Sequence, residues 1–326
     1  MARDNRIDEP NLGPTDAKRQ HVVPRMYLAH FAVDGLVSVY DLDTGDSFAS
    51  SVANVAVRTG FYDVYVGAQK LSTESWLAAI EGAASQIIGH LGADPDVLLT
   101  LSTEDEIALS RFICAQMFRV QVFRDEDAAM RQQLVDHLKQ AGKAYLERTE
   151  SPEEAEKIWD AWKTKPDEWF LKEENPYQPA GTVASMLGEV QGFANLLRHM
   201  PWRVGFVDSG LALYTSDNAV SRRPIPTVRW AGFPMWRYFW PLTPSVLLQI
   251  GPRLTEEGKP GRIRGDFSNW ETSYARHVVS ENASRFLYGP GPYVPKECAS
   301  SCLKRIDMQR ADDAAGHQNH DPQLSS

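Results

Sequence analysis

Leu211 to Val220 reads Leu-Ala-Leu-Tyr-Thr-Ser-Asp-Asn-Ala-Val, an apolar run that changes abruptly to three small polar residues. The apolar part predicts a buried strand, and Ser216, Asp217 and Asn218 predict a turn at its end. Polar side chains at the end of a buried strand are also a common place for ligand binding. We therefore take this strand end as the candidate functional site.

The regions around this strand predict further strands and one helix. Asp208-Ser-Gly210 predicts a hairpin turn that joins Leu211–Tyr214 to a strand at Trp202–Phe206. More strands are predicted at Tyr238–Leu242 and Val246–Ile250. The last predicted helix begins with a capping box of Ser268 and Glu271 and continues to about Tyr288.

The N-terminal half predicts a short helix, a hairpin and two long helices. Pro24 suits the first turn of a helix, and alternating residues predict paired strands at Leu36–Asp41 and Ser47–Val52. An apolar stripe with helical spacing starts at Ser72 and ends near Gly92. Thr103 and Glu106 form the pattern of a capping box that opens the second long helix.

These elements predict an α+β fold, in which a helical middle region packs on a small, mainly antiparallel sheet built from N-terminal and C-terminal strands. Residues 21–290 are predicted to form a single α+β domain. Residues 1–20 contain few apolar residues and predict a flexible N-terminal arm, and residues 291–326 predict a loose C-terminal tail.

Composition excludes several classes of protein. The 326 residues include 43% hydrophobic ones, which is enough for a sizeable core, and the net charge of -9 argues against a uniformly basic surface for nucleic acid or membranes. Three cysteines are too few for a disulfide framework and suit a reducing compartment. No apolar run reaches the roughly 20 residues that span a bilayer. We expect a soluble protein of the cytoplasm that has no membrane partner.

Several short stretches, taken in order, resemble a bacterial family known as domain of unknown function 4238. The resemblance covers about residues 21–288, and no established activity or cofactor is implied by it. The family commonly has proline after Ser-Asp-Asn, whereas this chain has Ala219. The stretches that resemble the family are His21-Val-Val-Pro24 with Tyr27-Leu28 and Phe31, Val37–Tyr40, Phe61-Tyr62, Gln116–Arg119, Ser216-Asp217-Asn218, Pro241-Leu242-Thr243, Asn282-Ala283 and Leu287-Tyr288.

The polar residues in these stretches are the candidates for a site. His21 is a candidate general base or metal ligand, because histidine titrates near neutral pH, but it also suits helix capping. Gln116 and Arg119 lie on the apolar side of a helix, where a guanidinium needs a carboxylate or an anionic ligand. We expect an Arg119–Asp217 ion pair first and anion binding second. Asn282 lies on the inner face of the last helix and is expected to bond near the Asp217 turn.

A cluster of basic residues follows the turn. Residues 219–264 hold seven arginines and one lysine against Glu256 and Glu257, which favours an anionic ligand or nucleic acid there. The same charge would also neutralise the acidic stretch at residues 147–174. Neither reading excludes the other.

The metal and cofactor signals are weak. Cys298, Cys302, His317 and His320 approach a zinc-finger spacing, although the second spacing is one residue short and a loose tail also fits them. The chain has no phosphate loop, nucleophile elbow or H-E-x-x-H motif, so metal and cofactors stay unknown.

Two hypotheses for function follow. The first is a hydrolase of a phosphate-containing or nucleic-acid substrate, with His21 and Asp217 as catalytic residues and with Gln116, Arg119, Ser216, Asn218 and Asn282 binding the substrate. The second is a noncatalytic binding or effector module in which the same residues form a structural network. If the first is right, His21, Arg119, Asp217 and Asn282 should meet in one cleft that solvent reaches.

Overall fold

The computed structural model describes residues 13–14, 19–66, 69–120, 143, 146–147, 151–163, 190–230, 233–252 and 261–291. Within these ranges the chain has the predicted α+β fold, with helices and mainly antiparallel sheets. Cys298, Cys302, His317 and His320, whose spacing approaches that of a zinc finger, lie outside the described residues.

The elements have the following bounds in chain order. The strands are β1 (Gly13–Pro14), β2 (Arg19–His21), β3 (Leu36–Asp41), β4 (Ser47–Ser51), β5 (Val57–Thr59), β6 (Asp63–Val66), β7 (Gln69–Ser72), β8 (Trp202–Phe206), β9 (Thr215–Ser216), β10 (Ser221–Trp230), β11 (Phe233–Thr243), β12 (Val246–Ile250), β13 (Arg262–Arg264) and β14 (Phe286–Gly289). The helices are α1 (Arg25–Leu28), α2 (Glu74–Ala93), α3 (Thr103–Phe118), α4 (Pro152–Lys163), α5 (residues 190–198) and α6 (Asn269–Asn282). Short 3-10 turns follow α1 and α2 at Ala29–Phe31 and Pro95–Thr100.

One sheet joins N-terminal and C-terminal strands, as predicted. Its strand order is β4-β3-β14-β9, and all its pairs are antiparallel. The β3–β4 hairpin has its predicted place, and the turn before β3 uses positive φ at Asp34 (52°) and Gly35 (76°). Positive φ at both positions is the backbone that Asp-Gly supports at least cost. This sheet places the end of β9, and therefore Asp217, beside the N-terminal strands.

A second sheet contains only C-terminal strands, in the order β10-β11-β12-β8-β13. The predicted hairpin between Trp202–Phe206 and Leu211–Tyr214 is wrong, because β8 pairs with β12 and β13 instead. β12 pairs with β11 on one side and with β8 on the other, and all five of its residues are buried. The predicted strand at Leu211–Tyr214 is also wrong: these residues form no strand, and the short β9 follows them at Thr215–Ser216, although Leu213 and Tyr214 are buried.

The long helices have their predicted apolar faces but differ at some ends. The buried residues of α2 are those of the predicted stripe, Trp76, Leu77, Ile80, Ala84, Ile87, Ile88 and Leu91. The N-cap of α3 is Ser102 with Asp105, not Thr103 with Glu106, because Glu106 is paired with Arg262. Ser268 and Glu271 cap α6 as predicted.

The last helix ends earlier than predicted. It stops at Asn282 instead of near Tyr288, and Phe286–Gly289 forms β14. This strand fills the position between β3 and β9, so its backbone groups are bonded in a sheet that joins distant parts of the chain.

The core lies between α1, α2, α3 and the sheets. The ring of Trp240 packs against Tyr27 and Phe112, with centroid distances of 5.7 and 5.5 Å. The Tyr27 hydroxyl shares hydrogen bonds with Thr215 Oγ1 (2.9 Å) and the Pro241 carbonyl oxygen (2.5 Å). Tyr27 therefore connects α1 to the sheet that contains β9 and to the sheet that contains β11.

The packed body begins before residue 21. Gln20 lies in β2 and is fully buried, and its Oε1 accepts a hydrogen bond from the Tyr62 amide at 2.7 Å. The predicted flexible arm therefore does not extend to Gln20, whose burial no sequence pattern indicates. In the part of the chain that the structure describes, no helix has the length and apolarity that a membrane span requires.

Candidate functional site

The predicted turn after β9 is built around the carboxylate of Asp217. Its Oδ1 accepts a hydrogen bond from the Ser284 amide at 2.8 Å, and its Oδ2 accepts from the amides of Arg285 (2.9 Å) and Phe286 (3.2 Å). These amides belong to the segment that joins α6 to β14. Asp217 therefore fixes the end of α6 against the end of β9.

The neighbours of Asp217 extend this network. Ser216 Oγ bonds to both the amide and the carbonyl of Asn218, which closes the turn on itself. Asn218 Nδ2 donates to the Asn282 carbonyl at 3.2 Å, and Asn282 Oδ1 accepts from the Arg222 amide at 3.0 Å. Asn282 thus bonds near the Asp217 turn, as predicted. The polar groups of this turn are bonded mainly to the protein's own backbone.

Burial raises the pKa of the Asp217 carboxyl, and the amides of Ser284, Phe286 and Arg285 oppose that effect. The side chain is 8% exposed, so little water reaches it. A carboxylate held in this way stabilises the backbone conformation around it. Its hydrogen bonds leave limited capacity for proton transfer.

Arg119 does not form the predicted ion pair with Asp217. Its Nη1 donates to Glu81 Oε1 at 2.6 Å, and its Nε donates to the Val22 carbonyl at 2.9 Å. Glu81 comes from α2, which packs along α3. A carboxylate on the neighbouring helix pairs with Nη1 of the guanidinium without the longer reach to β9.

His21 and Arg119 share a cavity of about 510 Å³, which we call the His21 cavity. Among the residues that the structure describes, His21 Nε2 and Arg119 Nη2 are buried and have no hydrogen-bond partner. Arg119 is 1% exposed, so its free Nη2 is costly unless a ligand or water occupies the cavity. The charged and polar side chains of the lining are His21, Arg25, Tyr62, Glu74, Glu81 and Arg119.

The imidazole of His21 is favoured in its neutral form. Burial lowers its pKa, the charge of Arg25 lowers it further, and the carbonyls of Val52 and Ala53 and the charge of Glu81 oppose this. A neutral imidazole near pH 7 carries one N–H donor and one acceptor nitrogen. His21 is therefore able to bond a ligand or to accept a proton.

Gln116 lies one turn before Arg119 on α3 and is fully buried. Both of its amide atoms lack a partner among the described residues. It does not line the His21 cavity. The structure therefore confirms the predicted burial of Gln116 and gives it no contact with a candidate ligand space.

Asp217 lines a different cavity of about 260 Å³, which we call the Asp217 cavity. Its other polar lining residues are Ser50, Asn54, Arg58 and Ser284, and its aromatic lining residues are Phe48, Phe61, Phe286 and Tyr288. Val22 lines this cavity and follows directly on His21, so neighbouring residues of one segment face the two cavities.

The predicted convergence on one cleft is therefore not what the fold produces. The candidates divide between the His21 cavity, which holds His21 and Arg119, and the Asp217 cavity, which holds Asp217. Ser216, Asn218 and Asn282 line neither of these two cavities. The sequence order of these residues did not reveal that the adjacent residues His21 and Val22 line two separate cavities.

The arginines of residues 219–264 are largely engaged where their side chains are described. Arg223 pairs with Glu281, Arg262 with Glu106 at 2.7 Å, and Arg264 with Asp96 at 3.2 Å. Arg222 lies over the ring of Trp236 at 4.7 Å. Their nearby carboxylates reduce the basic potential that the sequence suggested for this region.

Sequence reasoning missed two exposed arginines, one at each cavity. Arg25 follows Pro24 in α1 and lines the His21 cavity, and Arg58 lies in β5 and lines the Asp217 cavity. Surface arginines are common, so neither stood out. The spacing of Arg25 from His21, four residues along the chain, was the one available signal.

The described residues contain no group of three or more His, Cys, Asp or Glu side chains arranged to hold a metal ion. Neither a curated protein nor a solved structure matches the chain significantly. A family model described as "Protein of unknown function (DUF4238)" matches residues 19–288. That range contains both cavities and every candidate site residue, and the chain therefore belongs to the DUF4238 family.

Proposed function

We propose that the protein binds a small molecule with an anionic group, such as a phosphate or a carboxylate, in the His21 cavity. The observation that carries this proposal is the pair of unpartnered buried atoms, His21 Nε2 and Arg119 Nη2, in the lining of one cavity. Natural proteins rarely leave a buried guanidinium nitrogen without an acceptor. An anionic oxygen of a ligand is the acceptor that suits Arg119 best.

The rest of the lining supports a ligand of modest size. Arg25 brings a second, exposed guanidinium to the lining. The volume of about 510 Å³ lies within the range of about 300–1,000 Å³ that is typical of small-molecule sites. Met26 and Leu77 add apolar wall, so a ligand with both an anionic group and an apolar part is favoured.

Arg25→Gln tests the proposal, because this exposed residue is removed with little risk to folding. Phosphate and a short carboxylic acid such as butyrate are titrated at constant ionic strength while the melting temperature is followed. We expect both probes to stabilise the wild-type protein and to stabilise Arg25→Gln less.

Arg58→Gln is the matched control, since it removes one exposed guanidinium from the other cavity. It should respond to phosphate like the wild-type protein. If both variants lost the ligand-induced rise in melting temperature equally, the rise would be an effect of overall charge and the proposal would be wrong. No rise in the wild-type protein would also contradict the proposal.

Hydrolysis of a phosphate-containing substrate is the second candidate, and the state of His21 supports it. The lowered pKa of His21 keeps a base in the same cavity as Arg119. Asp217 no longer supports this candidate, because its carboxylate is bonded to three amides and lines the other cavity. We keep His21 as the proposed base and Arg119 as the proposed anion-binding group.

The hydrolase is tested with p-nitrophenyl phosphate and bis(p-nitrophenyl) phosphate, with and without Mg²⁺. Turnover that disappears in His21→Asn and persists in His30→Asn would support hydrolysis, since His30 lies nearby in the chain but is absent from the cavity lining. Phosphate binding without turnover would contradict hydrolysis and would support the noncatalytic binding module.

We also propose that the protein is located in the cytoplasm. Cys114 is buried as a free thiol in α3, which suits a reducing compartment. Fractionation of cells that express the full chain tests this, and recovery outside the cytoplasmic fraction would contradict it.

A further inference from the structure

We propose that the Asp217 cavity is a second ligand site, and that it binds a small aromatic acid whose ring carries one hydrogen-bond donor. This site is separate from the His21 cavity, and it does not depend on the function proposed above. The inference rests on the hydrogen-bond capacity of Asp217, the aromatic walls and the position of Arg58.

The donor on the ligand follows from the bonds of Asp217. An ionised carboxylate has about four acceptor positions, and three are used by the amides of Ser284, Arg285 and Phe286. Two of these bonds go to Oδ2 and one goes to Oδ1, so the remaining capacity is at Oδ1. The carboxylate is more than nine-tenths buried and lines the cavity. One N–H or O–H group of a ligand would complete it.

The aromatic ring follows from the walls. Phe286 and Tyr288 are two residues apart on β14, so both point to the same side of the strand, and their rings are stacked at 27° with centroids 6.5 Å apart. Phe61 and the half-exposed Phe48 also line the cavity. Aromatic faces and edges favour a flat ring over a flexible chain.

The acid group follows from Arg58. This residue lines the cavity, is exposed, and is close enough to Asp217 for its charge to act on that carboxyl. Its presence disfavours a ligand cation, which would be repelled by Arg58. A ligand with a carboxylate at the outer end complements Arg58, and the volume of about 260 Å³ limits the ligand to about one ring.

Three related compounds test each part of the ligand by calorimetric titration. They are 4-hydroxyphenylacetate, phenylacetate, which lacks the ring donor, and 4-hydroxyphenylethanol, which lacks the acid. We expect 4-hydroxyphenylacetate to bind at millimolar concentration or better, and each of the other two to bind about tenfold more weakly. Equal binding of all three, or no binding of 4-hydroxyphenylacetate, would overturn the proposal.

Two variants then place the ligand. Arg58→Gln should weaken 4-hydroxyphenylacetate about tenfold but leave 4-hydroxyphenylethanol unchanged, and Phe48→Ala should weaken both. Arg25→Gln and Trp270→Ala are the matched controls, because they remove an arginine and an exposed aromatic outside this cavity. Sensitivity to Arg25→Gln instead of Arg58→Gln would move the ligand to the His21 cavity and overturn this inference, while leaving the first proposal standing.

Discussion

The Asp217 turn and the His21 cavity both contain buried polar side chains, yet the hydrogen bonds of these side chains differ. At the turn, the carboxylate of Asp217 is bonded to three backbone amides, and the side chains of Ser216 and Asn218 are bonded to the backbone nearby. In the His21 cavity, Arg119 Nη2 and His21 Nε2 are buried without a partner among the described residues. Each of these side chains at the turn has hydrogen bonds within the protein, whereas the cavity contains two buried atoms that have none among the described residues.

This difference separates polar groups whose main partners are supplied by the fold from buried polar groups that have no partner in the empty protein. A buried polar group that is bonded to the backbone mainly stabilises the fold, and its replacement lowers stability. A buried polar group without a partner costs stability in the empty protein and recovers it when a ligand binds. Changes at the two places should therefore have opposite signatures in stability and in binding.

Asp217→Ala is expected to give the largest effect. It leaves three part-buried amides without their acceptor, so the free energy of unfolding should fall by about 3 kcal/mol. Chemical denaturation with urea measures this fall. The phosphate-dependent stabilisation proposed for the His21 cavity should remain in whatever fraction stays folded.

Asp46→Ala is the control for this variant, because Asp46 is an exposed turn residue of the β3–β4 hairpin. Its change should stay within about 0.5 kcal/mol. If Asp217→Ala lowered the free energy of unfolding no more than Asp46→Ala does, the hydrogen bonds of the turn would not stabilise the fold.

Glu81→Gln sharpens the other side of the comparison. It leaves the guanidinium of Arg119 buried without its carboxylate, which should cost about 2 kcal/mol in the free energy of unfolding. Unlike the loss at Asp217, this loss should shrink when phosphate is added, since the anion takes the place of Glu81. Thermal unfolding with and without phosphate measures the difference.

Glu104→Gln, an exposed change in the first turn of α3, is the matched control. Its stability should show no extra response to phosphate compared with the wild-type protein. A deficit in Glu81→Gln that is the same at every phosphate concentration would remove the distinction between the two regions.

The sequence predicted the local parts of the fold better than the pairing of distant parts. The stripe of α2, the β3–β4 hairpin and the Ser268–Glu271 cap follow from residues that are close in the chain, and all three are confirmed. The pairing of β8 was wrong because its partners β12 and β13 lie about forty or more residues away. Local turn signals carry no information about such partners.

The candidate site shows the same limit. The burial of Arg119 and its need for an anion were predictable from its helix position, but its partner Glu81 depends on how α2 packs on α3. The three amides that bind Asp217 are backbone groups and leave no trace in side-chain identity. Residue types therefore identified the polar positions, whereas tertiary packing decided which were complete.

Tyr27→Phe tests whether the two regions are coupled through α1. The Tyr27 hydroxyl bonds to Thr215, two residues before Asp217, and α1 also contributes Arg25 and Met26 to the His21 cavity. We expect a loss of about 1 kcal/mol in the free energy of unfolding and no change in phosphate affinity. Urea denaturation and calorimetry measure the two quantities. Weaker phosphate binding in this variant would show that the regions are coupled.

Arg285→Gln should give the smallest effect, and it concerns the side chain beside the turn. The guanidinium of Arg285 bonds to Asp41 at 2.7 Å, and this hydrogen bond holds the pKa of the Asp41 carboxyl below its ordinary value. The amide of Arg285, which binds Asp217, is unchanged by the substitution. Since Arg285 is about half exposed, we expect a loss below about 1 kcal/mol near neutral pH.

The pH dependence distinguishes this pair from the amides at Asp217. A carboxyl with a lowered folded-state pKa stabilises the protein above its unfolded pKa of about 4, and this stabilisation is lost as the pH falls through the folded value. The difference between the wild-type protein and Arg285→Gln should therefore shrink when the pH falls from about 6 to about 3, and it should also shrink in high salt. Urea denaturation across this range measures it. If the difference in the free energy of unfolding stayed constant across this pH range, ionisation of Asp41 would not stabilise the region around the Asp217 turn. The backbone hydrogen bonds to Asp217 would then hold this region alone.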